Sequence, residues 1–110
     1  MGETGIYAQY AEHIPLFKDW TEDEVGNFLR RGKMQEVSNG QIIIERGKRG
    51  DTLYIVFSGI VDIFLGELPI AQCKVGEAFG MVSFLDRQQK HSATAVAGTS
   101  TVLLCAIDAK

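Results

Sequence analysis

Two segments carry the residue types that could hold a ligand. They are Val75-Gly-Glu-Ala-Phe-Gly-Met-Val-Ser-Phe-Leu85 and Lys90-His-Ser-Ala-Thr-Ala-Val96. In the first, Gly76 and Gly80 frame a turn, and the residues after Gly80 read as one short helical turn. A helix start preceded by glycine presents free backbone N–H groups, which suit an anion such as a phosphate. The second segment adds the Ser92 hydroxyl, the Ala93 N–H and two basic side chains, Lys90 and His91. Phe79, Gly80, Met81, Val82, Ser83, Lys90, His91, Ser92 and Ala93 are therefore the expected ligand-binding set. The chemistry is anion recognition rather than bond making.

Other chemistries are poorly supplied. His13 and His91 are the only histidines and lie far apart, so a metal-dependent β-barrel enzyme has no ligand cluster to draw on. Ser83, Ser92 and Ser100 occupy no nucleophile elbow. Gly76-x-x-x-Gly80 opens no long helix and is not a dinucleotide fingerprint. The expectation is a binding module and not an enzyme, with no metal and no resident cofactor. Arg49-Gly50-Asp51 reads as a β-turn, the Arg46–Arg49 group as a solvated loop, and Phe17, Trp20 and Phe28 as packing.

These segments need a frame. From Ile14 to Met34 apolar residues recur at helical spacing, with a break at Thr21-Glu-Asp-Glu24. That tetrapeptide is a capping box, with Trp20 placed as a staple against Val25, so two short helices joined at 18–21 are expected. From Val37 onward the period changes. Segments 41–45, 52–57, 60–65, 68–73, 91–97 and 101–107 are short and rich in β-branched or aromatic residues, with a glycine at most corners. Such spacing predicts a small antiparallel sandwich or roll. The class is mainly β (α+β), one domain over 1–110, with a helical lead-in at about 8–36 and a roll at about 37–107.

Composition agrees. The 110 residues suit one core, 45% are hydrophobic, and a net charge of −3 with interleaved signs leaves no basic face for nucleic acid and no polybasic membrane anchor. No apolar run approaches the roughly 18 residues that span a bilayer, and the N-terminus lacks the pattern of an export signal. Cys73 and Cys105 read as buried free thiols in a reducing cytoplasm. A cytoplasmic protein without nucleic-acid or membrane partners is expected.

The segment Gly40-Gln-Ile-Ile-Ile-Glu-Arg-Gly-Lys-Arg-Gly-Asp-Thr-Leu-Tyr-Ile-Val-Phe-Ser-Gly59 resembles the β-roll signature of the cyclic nucleotide-binding domain family. Its turn glycines, Gly47 and Gly50, are expected to take positive φ. Ile14-Pro-Leu-Phe17 resembles that family's helical approach, and Val75–Gly80 with Ser92–Val96 its phosphate-binding cassette. The match runs in order over roughly 11–107. It implies an antiparallel β-roll or jelly roll with N-terminal helices, a short cassette helix, and cAMP or cGMP as ligand.

Two cassette positions depart from that pattern. Nucleotide-binding members carry Phe-Gly-Glu, whose glutamate holds the ribose 2′-hydroxyl; here the residues are Phe79-Gly80-Met81. They also place an arginine before Ser/Thr-Ala to grip the phosphate; here His91 stands there with Lys90 beside it. Counting forward from Phe79 instead puts Lys90 at the arginine's distance, in a loop one residue longer. Neither side chain reproduces the bidentate fork. A charged hydrogen bond contributes about 1.5–3 kcal/mol, so losing both weakens binding by about two to four decades. The expectation is a regulatory or sensing module with a weak or absent cAMP/cGMP site. One alternative is a true binder in which His91 and Lys90 share the phosphate. Another is an interaction scaffold that has lost its ligand.

Residual anion binding through His91 is expected to strengthen below about pH 6.5. Related sensor domains continue into helices that lid the base, and none can be written after Ile107. The surface such helices would cover, with the helical face around Phe17, Trp20 and Phe28, predicts a homodimer or a helical protein partner.

Overall fold

Thr21-Glu-Asp-Glu24 starts a helix as its spacing predicts. In the computed structural model, which describes residues 17–80 and 90–108, helix α1 spans Glu22–Arg31. The Glu24 N–H donates to Thr21 Oγ1 at 3.1 Å, and the Thr21 N–H donates to Glu24 Oε1 at 2.8 Å. Two of the orphan donors at the helix start are thereby satisfied. Acidic residues fill the first turn and Arg30 and Arg31 the last, matching the helix dipole. Thr21→Ala should cost about 1 kcal/mol, read as a lower urea midpoint at unchanged slope. A loss near zero would mean that the box adds nothing beyond packing.

The helix ends earlier than its periodicity suggests. Gly32 already has extended backbone and opens strand β1 (Gly32–Ser38). A Cβ at Gly32 would lie 2.5 Å from Cys105 Sγ, so the chain passes too close to the neighbouring strand for any side chain. Met34 therefore belongs to a strand, opposite Cys105, and the boundary expected near residue 36 moves back to 31/32. The first of the two expected helices and the cassette helix after Gly80 lie outside the described residues.

The remaining strands are β2 (Ile42–Ile44), β3 (Thr52–Ser58), β4 (Val61–Leu65), β5 (Leu68–Cys73), β6 (Ala78–Phe79), β7 (Thr94–Ala97) and β8 (Thr101–Asp108). They form two four-stranded antiparallel sheets, ordered β1-β8-β3-β6 and β2-β7-β4-β5. Strands β1 and β6 are additions to the sequence reading. The last-but-one strand starts at Thr94 rather than His91, which leaves His91-Ser92-Ala93 as the stretch leading into it.

Two apolar clusters share strands β3 and β8. Between the sheets lie Val56, Val61, Phe79, Val102 and Leu104. On the opposite face of the first sheet, Ile55, Phe57, Cys105 and Ile107 pack against Phe17 and Leu29. Strands covered on both faces need apolar residues at nearly every position, which is why Val102–Ile107 shows no alternation. The aromatic face expected to lie loose is closed at Phe17 only; Phe28 is half-buried and Trp20 stays exposed. Phe17 is buried, and its ring meets Trp20 at 5.0 Å and Phe28 at 5.7 Å, both edge-on. The larger exposed apolar side chains include Leu65, Leu68 and Ile70 on the β4–β5 hairpin.

Both cysteines are free thiols; Cys105 is fully buried, whereas Cys73, expected to be buried, is only half-buried. Burial pushes the Cys105 thiol up to about 11. Among the described residues no helix is long and apolar enough to cross a membrane.

Candidate functional site

The two chemistry-bearing segments are brought together by strand pairing. Strand β6 pairs with β3, setting Phe79 opposite Tyr54, and their rings stack at 5.2 Å and 14°. The turn before β6 is tied to the same strand: the Gly76 N–H donates to the Val56 carbonyl, and the Val56 N–H donates to Glu77 O. Gly80 follows directly, at φ 86°, where a Cβ would lie 2.7 Å from the Thr52 carbonyl oxygen. Only glycine satisfies both that conformation and that approach.

The second segment is held from the other side. The Gly47 N–H donates to His91 O, and the His91 N–H donates to Lys48 O, both at 2.9 Å. Arg49 and Lys90 form an isolated antiparallel bridge. Gly47 has positive φ as expected, but Gly50 does not. Gly50 leaves room for the imidazole: a Cβ there would lie 2.9 Å from His91 Nε2, so the ring would have to shift. The imidazole occupies the space that a side chain at position 50 would need.

A pocket of about 240 Å³ lies between these segments. Of the expected site residues, Phe79, Gly80, Lys90, His91, Ser92 and Ala93 line it. Met81, Val82 and Ser83 lie outside the described residues. Ile44, Ile63, Cys73, Thr94 and Ala95 complete the described wall and were not expected. Thr94 and Ala95 continue the second segment and were within reach of sequence reasoning. Ile63 and Cys73 arrive from β4 and β5, and only the pairing of β4 with β7 reveals them. The wall is thus apolar on the sheet side, with its polar groups gathered at the 90–94 end.

Electrostatics set what this end can do. Burial lowers the His91 pKa from its ordinary 6.5, which disfavours the charged imidazolium. Lys90 is exposed and supplies the positive charge at the pocket. The Cys73 thiol is pushed up by burial and then by the Glu77 carboxylate, so it faces the pocket as a protonated group. Among the described residues no three His, Cys, Asp or Glu side chains cluster as metal ligands. Such a site can bind and orient a small molecule through apolar walls, backbone amides and a lysine.

A family model, the cyclic nucleotide-binding domain, matches residues 34–110. The chain belongs to that family. A cAMP-dependent protein kinase regulatory subunit of Mucor circinelloides f. lusitanicus is 28% identical over 93 residues, spanning 84% of this chain and 21% of that protein. The cyclic AMP receptor protein of Thermus thermophilus is 38% identical over 95 residues, 82% of this chain and 44% of that protein. This cyclic nucleotide-binding domain therefore spans about a fifth of the fungal relative's length. Among solved structures, the catabolite activator protein of Thermus thermophilus superposes with a TM-score of 0.76 at 33% identity, over 86% of this chain and 46% of that one. The regulatory subunit of a cAMP-independent protein kinase A from Trypanosoma brucei gives 0.86 at 25%, over 96% and 39%. The β-roll is that of a cyclic nucleotide-binding domain.

Proposed function

We propose that this domain is a non-enzymatic, cytoplasmic regulatory module whose cyclic-nucleotide pocket grips the phosphate weakly. The observation that carries the reading is His91. It stands directly before Ser92-Ala93, where the resemblance places the cassette arginine, its backbone is fixed by the 47–48 turn, and burial lowers the pKa of its ring. A neutral imidazole offers neither the charge nor the fork of a guanidinium. The trypanosomal relative, described as part of a cAMP-independent kinase, is consistent with this fold serving without tight cAMP dependence.

Calorimetry tests it. With the ribose and phosphate contacts both missing, cAMP and cGMP should bind with dissociation constants no tighter than about 10 μM. Sub-micromolar binding would overturn the weak-grip reading and favour a shared His91–Lys90 phosphate contact.

The same titration at lower pH isolates His91. Only the imidazolium is positive, so its contribution to anion binding appears as the pH falls through its lowered pKa, below 6.5 rather than at it. Folding stability moves the other way. The unfolded chain takes up the proton first, so stability present above pH 6.5 is lost as the pH falls through the folded pKa. Affinity flat from pH 8 down to 5 would exclude His91 as the contact.

Self-association, or docking on the protein it regulates, belongs to the same reading. The exposed Leu65, Leu68 and Ile70, with Trp20 on the aromatic face, would supply the apolar contact. Light scattering over a concentration series should show mass above 12.1 kDa unless a different protein is the partner.

A further inference from the structure

We propose that Arg49 and Lys90 form a two-cation clamp at the pocket mouth, which favours a doubly charged phosphomonoester over a singly charged cyclic phosphodiester. The inference rests on the weak-grip reading for the location of the pocket, and extends it by naming the class of ligand.

The geometry comes from the bridge between these two residues. The flanking bond from the His91 N–H to the Lys48 carbonyl is the pattern of a pair whose side chains approach most closely. Directly opposed residues place their side chains on one face, and like charges so placed destabilise the pairing. Lys90 lines the cassette pocket, and Arg49 borders an adjoining cavity that shares the His91 and Ile44 walls. Glu45 is the carboxylate on that second cavity, set against Lys48 and Arg49 there. Two cations opposed across this backbone bridge, Lys90 on the cassette pocket and Arg49 on the adjoining cavity, leave a place for a compact dianion where the two cavities meet at His91 and Ile44.

Charge count then selects the ligand. A cyclic phosphodiester carries one negative charge and is matched by one cation. A phosphomonoester above its second pKa carries about two, and its free oxygens can meet an ammonium and a guanidinium together. Arg49 then becomes the residue that sets specificity.

The test titrates the whole chain with 5′-AMP and with cAMP at pH 8, where His91 is neutral, following backbone amide shifts. 5′-AMP should bind about 5-fold tighter than cAMP or better, with shifts at 47–49 and 90–93. Arg49→Ala should weaken 5′-AMP by about 5- to 10-fold while changing cAMP by less than about 3-fold, and Arg49→Lys should restore most of the preference. Lys33→Ala, an exposed charge on β1, serves as the control for net charge and should leave the preference intact. An unchanged amide spectrum outside the turn shows that each variant folds. Equal affinities, no binding of either nucleotide to millimolar concentration, or an equal loss in Lys33→Ala would each overturn the clamp. Of these, none touches the weak-grip reading, which sub-micromolar cAMP binding alone would remove.

Discussion

Met81→Glu together with His91→Arg should tighten cAMP binding by about two to four decades, the span of two restored charge-assisted hydrogen bonds. The position at 91 is prepared for such a change. Its N–H and carbonyl are both bonded to the 47–48 turn, so a side chain there leaves the backbone at a fixed point beside the pocket. An arginine would bring a permanent charge where burial now disfavours the charged imidazole. Each single variant should give about one to two decades, and the pair need not be additive because both contacts orient the same ligand. Calorimetry on the four proteins reads this directly. If the double variant binds no better than the parent, the loop spacing and not the two side chains limits binding.

Phe57→Ala should remove about 3–5 kcal/mol of stability, a large share of the 5–15 kcal/mol available to a domain of this kind. Phe57 is 2% exposed and sits with Ile55, Phe17, Leu29 and Ile107 between the first sheet and α1. Its loss leaves a cavity that neighbouring strands cannot close, since β3 is paired with β8 on one side and β6 on the other. Urea unfolding followed by circular dichroism should show a sharply lowered midpoint at room temperature. A loss under about 1 kcal/mol would mean that the helix-side cluster is not a packed core.

The strands that carry β-branched runs were legible because burial on a pleated sheet selects those residues, and six of the eight could be placed from pattern alone. Strand β1 was not. Lys33, Gln35 and Glu36 are exposed on a strand with β8 as its one partner among the described residues, and Met34 happens to continue the helical period of Leu29. The signal that could have separated them was Gly32 directly after Arg31, a helix-ending glycine. Strand β6 has two residues and exists through its pairing with Tyr54 and Ile55, a tertiary fact with no local period. At the site, the glycine turn and the Lys90–Ala93 stretch were legible as chemistry. The wall from Ile63 and Cys73 was not, because nothing local in β4 or β5 tells which strand will lie beside β7.

The contact between Gly50 and His91 ties two distant positions to one volume. With only 2.9 Å between His91 Nε2 and the place of a Cβ at position 50, no side chain at 50 can coexist with an imidazole in this placement. In any population of variants drifting from this sequence, the two sites should therefore change jointly: a residue larger than glycine at 50 should survive only alongside a smaller or differently directed side chain at 91. The side chain that lines the pocket at 91 is in this sense chosen partly by a turn 41 positions upstream in the numbering (91 minus 50).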